Sequence, residues 1–202
     1  MKTTILTAAI ALSTVFGISN SVSAATGIKT ETAIVLTDVK NISEIEVHGN
    51  VQLFLTTGDE DKVKVYNDYY NENALVQEQK GTLRITSYSS EKLVVWVTVN
   101  SLSKLSAFDN AVVKSFGKFS AIDLKVTLHN HALAQLDMDA INASVTLTDR
   151  SRADLSGTAE KGNLVYAGSA FMNAGNFTAT SLTKTIKFQP LRHPHPVQFA
   201  SL

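Results

Sequence analysis

Apolar residues recur with a period of two along most of the chain. Val51, Leu53 and Leu55 alternate with Gln52 and Phe54, and after a polar stretch at residues 58–61 the alternation resumes at Val63 and Val65. Two such runs around a Gly-Asp turn predict a hairpin with one buried face. Ile42, Ile45 and Val47 alternate less regularly, and Leu83 and Ile85 open a further strand. Leu93, Val95, Val97 and Val99 form the strongest apolar strand. Trp96 falls on its opposite face, which predicts that this strand is covered on both sides. Residues 66–73 form an aromatic, amide-rich connection between strands.

From about residue 102 the pattern repeats. Leu124, Val126 and Leu128 align with Ala143, Val145 and Leu147 at an offset of 19, and Ala134 and Leu136 align with Ala153 and Leu155. Carried forward, Asp149 falls on Gly168; carried backward by 20, Asn130 falls on Asn110 and Leu136 on Phe116. Four positions thus correspond: Asn110, Asn130, Asp149 and Gly168. All are residue types that tolerate positive φ, and one per repeat is what a tight corner between short strands requires. A repeat this small buries its apolar face only by stacking on its neighbours. The prediction is an all-β fold: a strand-rich portion over residues 25–101, then a β-solenoid or β-helix-like stack of 19–20-residue rungs over 102–188. Val126, Leu128, Leu136, Val145, Leu147 and Leu155 should form its buried column.

The ends do not fit this scheme. Residues 1–24 read as a secretory signal peptide, with Lys2, an apolar stretch and a small-x-small site at Val22-Ser23-Ala24. No later segment is long and apolar enough to span a bilayer as a helix. The expectation is an exported chain without a transmembrane segment, periplasmic or at the cell surface. Residues 189–202 hold all three prolines and two of the five histidines and read as an irregular tail.

Charge and composition narrow the chemistry. Lys+Arg and Asp+Glu are equal at 18 each, so no basic excess points to nucleic acid. The absence of cysteine excludes disulfides, zinc–thiolate sites and thiol catalysis. No nucleophile elbow or phosphate loop occurs, and the sequence calls for no cofactor. His129-Asn130-His131 is read as a corner with solvent-facing imidazoles, not a nuclease motif or a metal site. Asp137 and Asp139 share one strand face, the arrangement a glycosidase would need, but Leu136 and Met138 alternate with them as core positions and leave the carboxylates in water. The acidic stretch 58–61 is read as a solvated turn. Tyr69, Tyr70, Asn71 and Asn73, near Tyr66 and Tyr88, are the candidate ligand contacts: rings can stack on sugars while amides bond hydroxyls.

The chain also resembles a known family. Ile42, Ile45-Glu46-Val47-His48-Gly49-Asn50-Val51-Gln52-Leu53, Gly58-Asp59, Gly81-Thr82-Leu83-Arg84-Ile85, Val95-Trp96-Val97-Thr98-Val99 and the repeats to about residue 182 are similar to the auto-transporter adhesin head domain, or GIN domain, of exported bacterial proteins. The resemblance implies an exported, all-β, non-enzymatic binding module of the cell envelope or surface. Its partners would be an envelope or extracellular polysaccharide or a surface protein. The corners around Asn110, Asn130 and Asp149 depart from the family's Gly-Ser-Gly-like corners; Ala167-Gly168-Ser169 is close to them. Two other readings remain: a carbohydrate-active enzyme with carboxylates on the solenoid face, and an envelope protein–protein interaction module with a bare terminal rung.

Overall fold

The computed structural model describes residues 33–36, 39–66 and 73–188. The expected signal peptide, Tyr69, Tyr70, Asn71 and the tail 189–202 lie outside the described residues.

Among these residues thirteen strands build one sheet. They are β1 (Ala33–Leu36), β2 (Glu44–Gly49), β3 (Val51–Thr57), β4 (Lys62–Tyr66), β5 (Ala74–Gln79), β6 (Thr82–Ser87), β7 (Leu93–Val99), β8 (Lys104–Ala107), β9 (Val112–Ser115), β10 (Phe119–Leu128), β11 (Leu133–Leu147), β12 (Arg152–Ala167) and β13 (Phe171–Lys187). The fold is all-β.

The pairings fall into two parallel columns. One runs β6, β2, β8, β10 and then the C-terminal halves of β11, β12 and β13. The other runs β7, β3, β9 and then the N-terminal halves of the same three long strands. Parallel neighbours need a crossover of a dozen or more residues. Here the crossover is the strand in the opposite column. At the N-terminal end three short strands close the columns antiparallel: β5 on β6, β4 on β7, and β1 on β4.

Leu124, Val126 and Leu128 face Ala143, Val145 and Leu147, and Ala134 and Leu136 face Ala153 and Leu155. The 19-residue offset is therefore a hydrogen-bonded register. A one-residue slip would turn every apolar side chain outward. Val126, Leu128, Leu136, Val145, Leu147 and Leu155 are all buried in the core. Each such side chain contributes roughly 1.5–3 kcal/mol through its burial. Beyond Asp154 a bulge changes the offset, so that Ser156 faces Asn176.

Three expectations are corrected. The backward offset is 21, not 20: Lys125 faces Lys104 and Leu133 faces Val112. Phe116 consequently leaves the line of Leu136 and stands 63% exposed. The hairpin expected between β3 and β4 does not form, because β7 lies between them, parallel to β3 and antiparallel to β4. The turn at 58–61 is more than solvated: the Asp61 carboxylate accepts the Ile42 N–H at 2.7 Å and the Asn100 N–H at 2.9 Å, tying two other segments to the loop.

Candidate functional site

Strand pleating and register place outward side chains of the second column in straight rows across the sheet. The central row reads Lys64, Trp96, Phe54, Lys114, Gln135, Asp154, Asn173, one residue from each of seven paired strands. The flanking row begins Tyr66, Val94, Gln52, Val112. Among the described residues no second sheet covers Trp96, contrary to what its strand's apolar character had suggested. Its ring contacts are with Phe54 in the row, stacked at 4.6 Å between centroids, and with Phe116 beside the row, at 5.3 Å and tilted by 58°. Each such ring pair contributes about 0.5–1.5 kcal/mol beyond its area. A hollow of about 280 Å³ lies among Lys62, Lys64, Tyr66, Trp96 and Thr98.

The two lysines of the central row make no ion pair with any described carboxylate. Lys62 does pair with Glu60, at 3.3 Å. On the first column's outer face Arg84 pairs with Glu46 at 3.2 Å and Lys104 with Glu44 at 3.0 Å, whereas Lys125, in register with Lys104, makes no ion pair with any described carboxylate. Beyond Lys114 the central row turns acidic and amide-rich, and Asn173 donates to Asp154 at 3.1 Å.

A second constellation lines the corner between the columns. His48, Phe108 and His129 stack in parallel, at 4.3 and 4.7 Å with interplanar angles of 3° and 2°. Thr148 continues the line, its Oγ1 2.9 Å from His129 Nδ1. His48 Nε2 lies 3.0 Å from Glu46 Oε1. The bond to His48, opposed in part by burial and reinforced by Arg84, holds the Glu46 carboxyl below its usual 4.5. Beside the rings the corner residues bond in series. Gly49 N–H donates to Asp109 Oδ2 (3.0 Å), Asp109 N–H to Asn130 Oδ1 (3.3 Å) and Asn130 N–H to Asp149 Oδ2 (3.0 Å). The Asn130 N–H and the Thr148 hydroxyl, with His129 and His131 nearby, hold the Asp149 carboxyl below its usual 3.8.

The corner residues read from the sequence all sit in turns. Asn130 and Asp149 have φ of 56°, but in the preceding corner it is Asp109 (φ 58°), not Asn110, that takes this conformation, as the 21-residue offset requires. Gly168 does not use positive φ. Its neighbour Ser169 closes that corner by donating its hydroxyl to the Asp149 carbonyl. The acceptor role of the corner side chains was missed, although an Asx residue at each corner was its visible signal.

Of the tyrosine–asparagine candidates, Asn73 is described; it is exposed, and its carbonyl accepts the Tyr88 N–H at 2.9 Å. Of the two carboxylates weighed for catalysis, Asp139 is engaged by the adjacent rung, accepting from Thr158 at 2.8 Å, and Asp123 likewise accepts from Asn142 at 2.6 Å. Among the described residues no group of three or more His, Asp or Glu side chains converges as a metal site. No helix of the described residues is long and apolar enough to cross a membrane.

A larger hollow, of about 900 Å³, lies between β1 and the 58–61 loop and is lined by Val39, Ile42, Asp61 and Asn100 among others. The Asp61 oxygens there are already taken by backbone donors, so the tryptophan row is the stronger candidate for contact with a ligand.

The family model described as "Putative auto-transporter adhesin, head GIN domain" matches residues 41–187. No curated protein matches the chain. Among solved structures, a putative adhesin from Bacteroides fragilis superposes with a TM-score of 0.66 at 17% identity, over 79% of this chain and 78% of that one. A putative lipid binding protein from Parabacteroides distasonis gives 0.60 at 13% identity, over 77% and 78%. A putative adhesin from the same organism gives 0.57 at 14% identity, over 78% of each. At these identities the likeness establishes the shared fold.

Proposed function

Because the chain belongs to the auto-transporter adhesin head GIN domain family, we propose that it is an exported, non-enzymatic binding module of the cell envelope or surface that holds a polysaccharide on the outer face of β4, β7, β3 and β9. The observation that carries this reading is the row Lys64–Trp96–Phe54–Lys114. Rings and cations stand there on hydrogen-bonded strands, where the register fixes their spacing before any ligand arrives. Sites built on such regular elements hold their geometry better than sites on loops. The two columns, joined by corners on one side and by bends in the long strands on the other, form a β-solenoid in this reading. The solenoid supplies a stiff, flat support.

The non-enzymatic reading draws on the carboxyl groups. A general acid needs a raised pKa, and among the described residues the two carboxyls that depart from their usual values, Glu46 and Asp149, are lowered. A second reading, an envelope protein-interaction module, is favoured by one feature. β13 pairs with β12 alone among the described strands, and Phe171, Leu182, Ile186 and Phe188 stand exposed at that end.

The test is binding of the purified exported chain to an array of bacterial and host polysaccharides, beside Trp96→Ala. Saturable binding of the wild type that weakens about tenfold or more in the variant is expected for a central aromatic contact. Binding unchanged by the substitution would remove the site, and cleavage of a bound glycan would replace the binder with an enzyme.

A further inference from the structure

The chemistry of the central row says which polysaccharide fits. Resting on the binding reading above, we propose that the ligand is a linear polyanionic glycan whose carboxylate or sulfate groups are received by Lys64 and Lys114 while its sugar rings lie along Trp96 and Phe54.

Three observations converge on this class. Lys64 and Lys114 bracket the ring pair in one register row, three strand steps apart, or about 14 Å at the usual strand spacing. Neither has a carboxylate partner among the described residues; on the first column's outer face Arg84 and Lys104 are paired, and Lys125, likewise unpaired, has no aromatic ring in its register row. Two unpaired cations held beside aromatic rings attract an anion without first having to break an ion pair. Phe116, 63% exposed and tilted away from the Trp96 plane, offers its face to a sugar at the edge of the same patch.

The row also sets the limit of the footprint. Past Lys114 come Gln135 and then Asp154, and Asp137 lies beside them on β11. A polyanion that continued in that direction would meet these carboxylates, with the Arg152 guanidinium beside Asp154 occupied over the Phe171 ring. The cationic and aromatic half therefore receives the chain, and the acidic half confines it. The same acidic half argues against a nucleic acid. The equal totals of basic and acidic residues and the short run of cations leave too few contacts for a continuous phosphate backbone.

The experiment uses the full exported chain with polygalacturonate, alginate and dextran sulfate as acidic probes. Methyl-esterified polygalacturonate and plain dextran are their neutral counterparts. The expected result is binding to at least one acidic probe about tenfold or more tighter than to its neutral counterpart, weakening as salt rises. The double variant Lys64→Gln, Lys114→Gln should abolish that preference with its thermal midpoint unchanged, since both side chains point outward.

Equal affinity for acidic and neutral forms, with loss of both in Trp96→Ala, would overturn the polyanion proposal and leave the glycan-binding reading standing. A preference for acidic probes that survives the double variant would also overturn it, by placing the cationic contact elsewhere. Binding to none of the five probes would count against both readings.

Discussion

The N-terminal and C-terminal rungs share one backbone plan, yet almost everything mounted on it differs. Near β2, β3 and β7 the enclosed positions are Ile45, Val47, Leu53, Leu55, Val95 and Val97, all essentially without exposure. In β11 and β12 the positions in register with Leu53 hold Ala134 and Ala153, whereas those in register with Ile45 and Val47 keep Val145, Leu147 and Leu164, and the packing tightens around Gly157 and Gly162. The first end is closed by antiparallel strands; the last strand, β13, has seventeen residues and pairs on one side only among the described strands. The outer face changes in step, from rings and lysines to carboxylates and amides. The lesson is that the stack concentrates its apolar volume under the surface that carries its candidate site. The thinner end keeps the hydrogen bonds of the same fold with less burial to support them, which is where local opening is expected to begin.

The sharpest way to break this comparison is by truncating the core. Leu53→Ala should cost about 2–5 kcal/mol, as for other buried leucines, while Leu182→Ala on half-exposed β13 should cost under about 1 kcal/mol. Urea denaturation of both variants measures the difference, and equal costs would erase it. Next comes Gly157, whose φ of 99° suits glycine and whose added Cβ would run into the Met138 backbone. Gly157→Ala should cost about 1–3 kcal/mol. It should also speed amide exchange in β12 and β13 while leaving ligand affinity intact; affinity lost along with stability would mean that the two ends are not separable.

Two smaller effects sharpen the contrast. In the wild type, β13 amides should exchange faster than those of β3 and β7, and uniform protection would show that the bare edge is covered in solution. The least effect is expected from pH. Glu46 and Asp149 have lowered folded pKa values, so the stability they contribute is present above their unfolded values and lost as pH falls through the folded ones. Glu46→Gln should flatten the acid limb of a thermal-midpoint profile. Asp149→Asn should flatten it as well, with little loss near neutral pH, because an asparagine amide already accepts the corresponding bond at Asn130. An acid limb unchanged in both variants would locate the sensitivity elsewhere.

What the sequence disclosed follows from the range of the interactions involved. The 19-residue register of β10, β11 and β12 was readable because Val126, Val145 and their neighbours repeat with nothing inserted between them. The register to β8 and β9 was misread because the connection through Gly117, itself at φ 77°, lengthens that repeat. The position of β7 between β3 and β4 was hidden for another reason: adjacency in the chain favours a hairpin, and only the long-range parallel pairing with β3 overrides it. The candidate site was the least legible part. Lys64, Trp96, Phe54 and Lys114 come from four separate stretches and become a row only when every register is known. Trp96 was noticed, but strand alternation alone could not distinguish a covered face from one lined by its own neighbours. The Tyr69–Asn73 stretch drew the eye because its aromatic and amide residues are close together in the sequence, whereas Tyr66, just before it, stands in the flanking row.

The corner bonds have one more consequence. Asp109, Asn130 and Asp149 each receive the N–H of the rung before them, so the Asp109 and Asn130 corners are each both a socket for the predecessor and a plug for the successor, and the series ends at Asp149. A duplication of one repeat would find its socket waiting and would displace no partner. Length in such a protein is a quantity that inheritance can adjust in whole steps, each moving the far end by about one strand spacing, while the tryptophan row stays where it is.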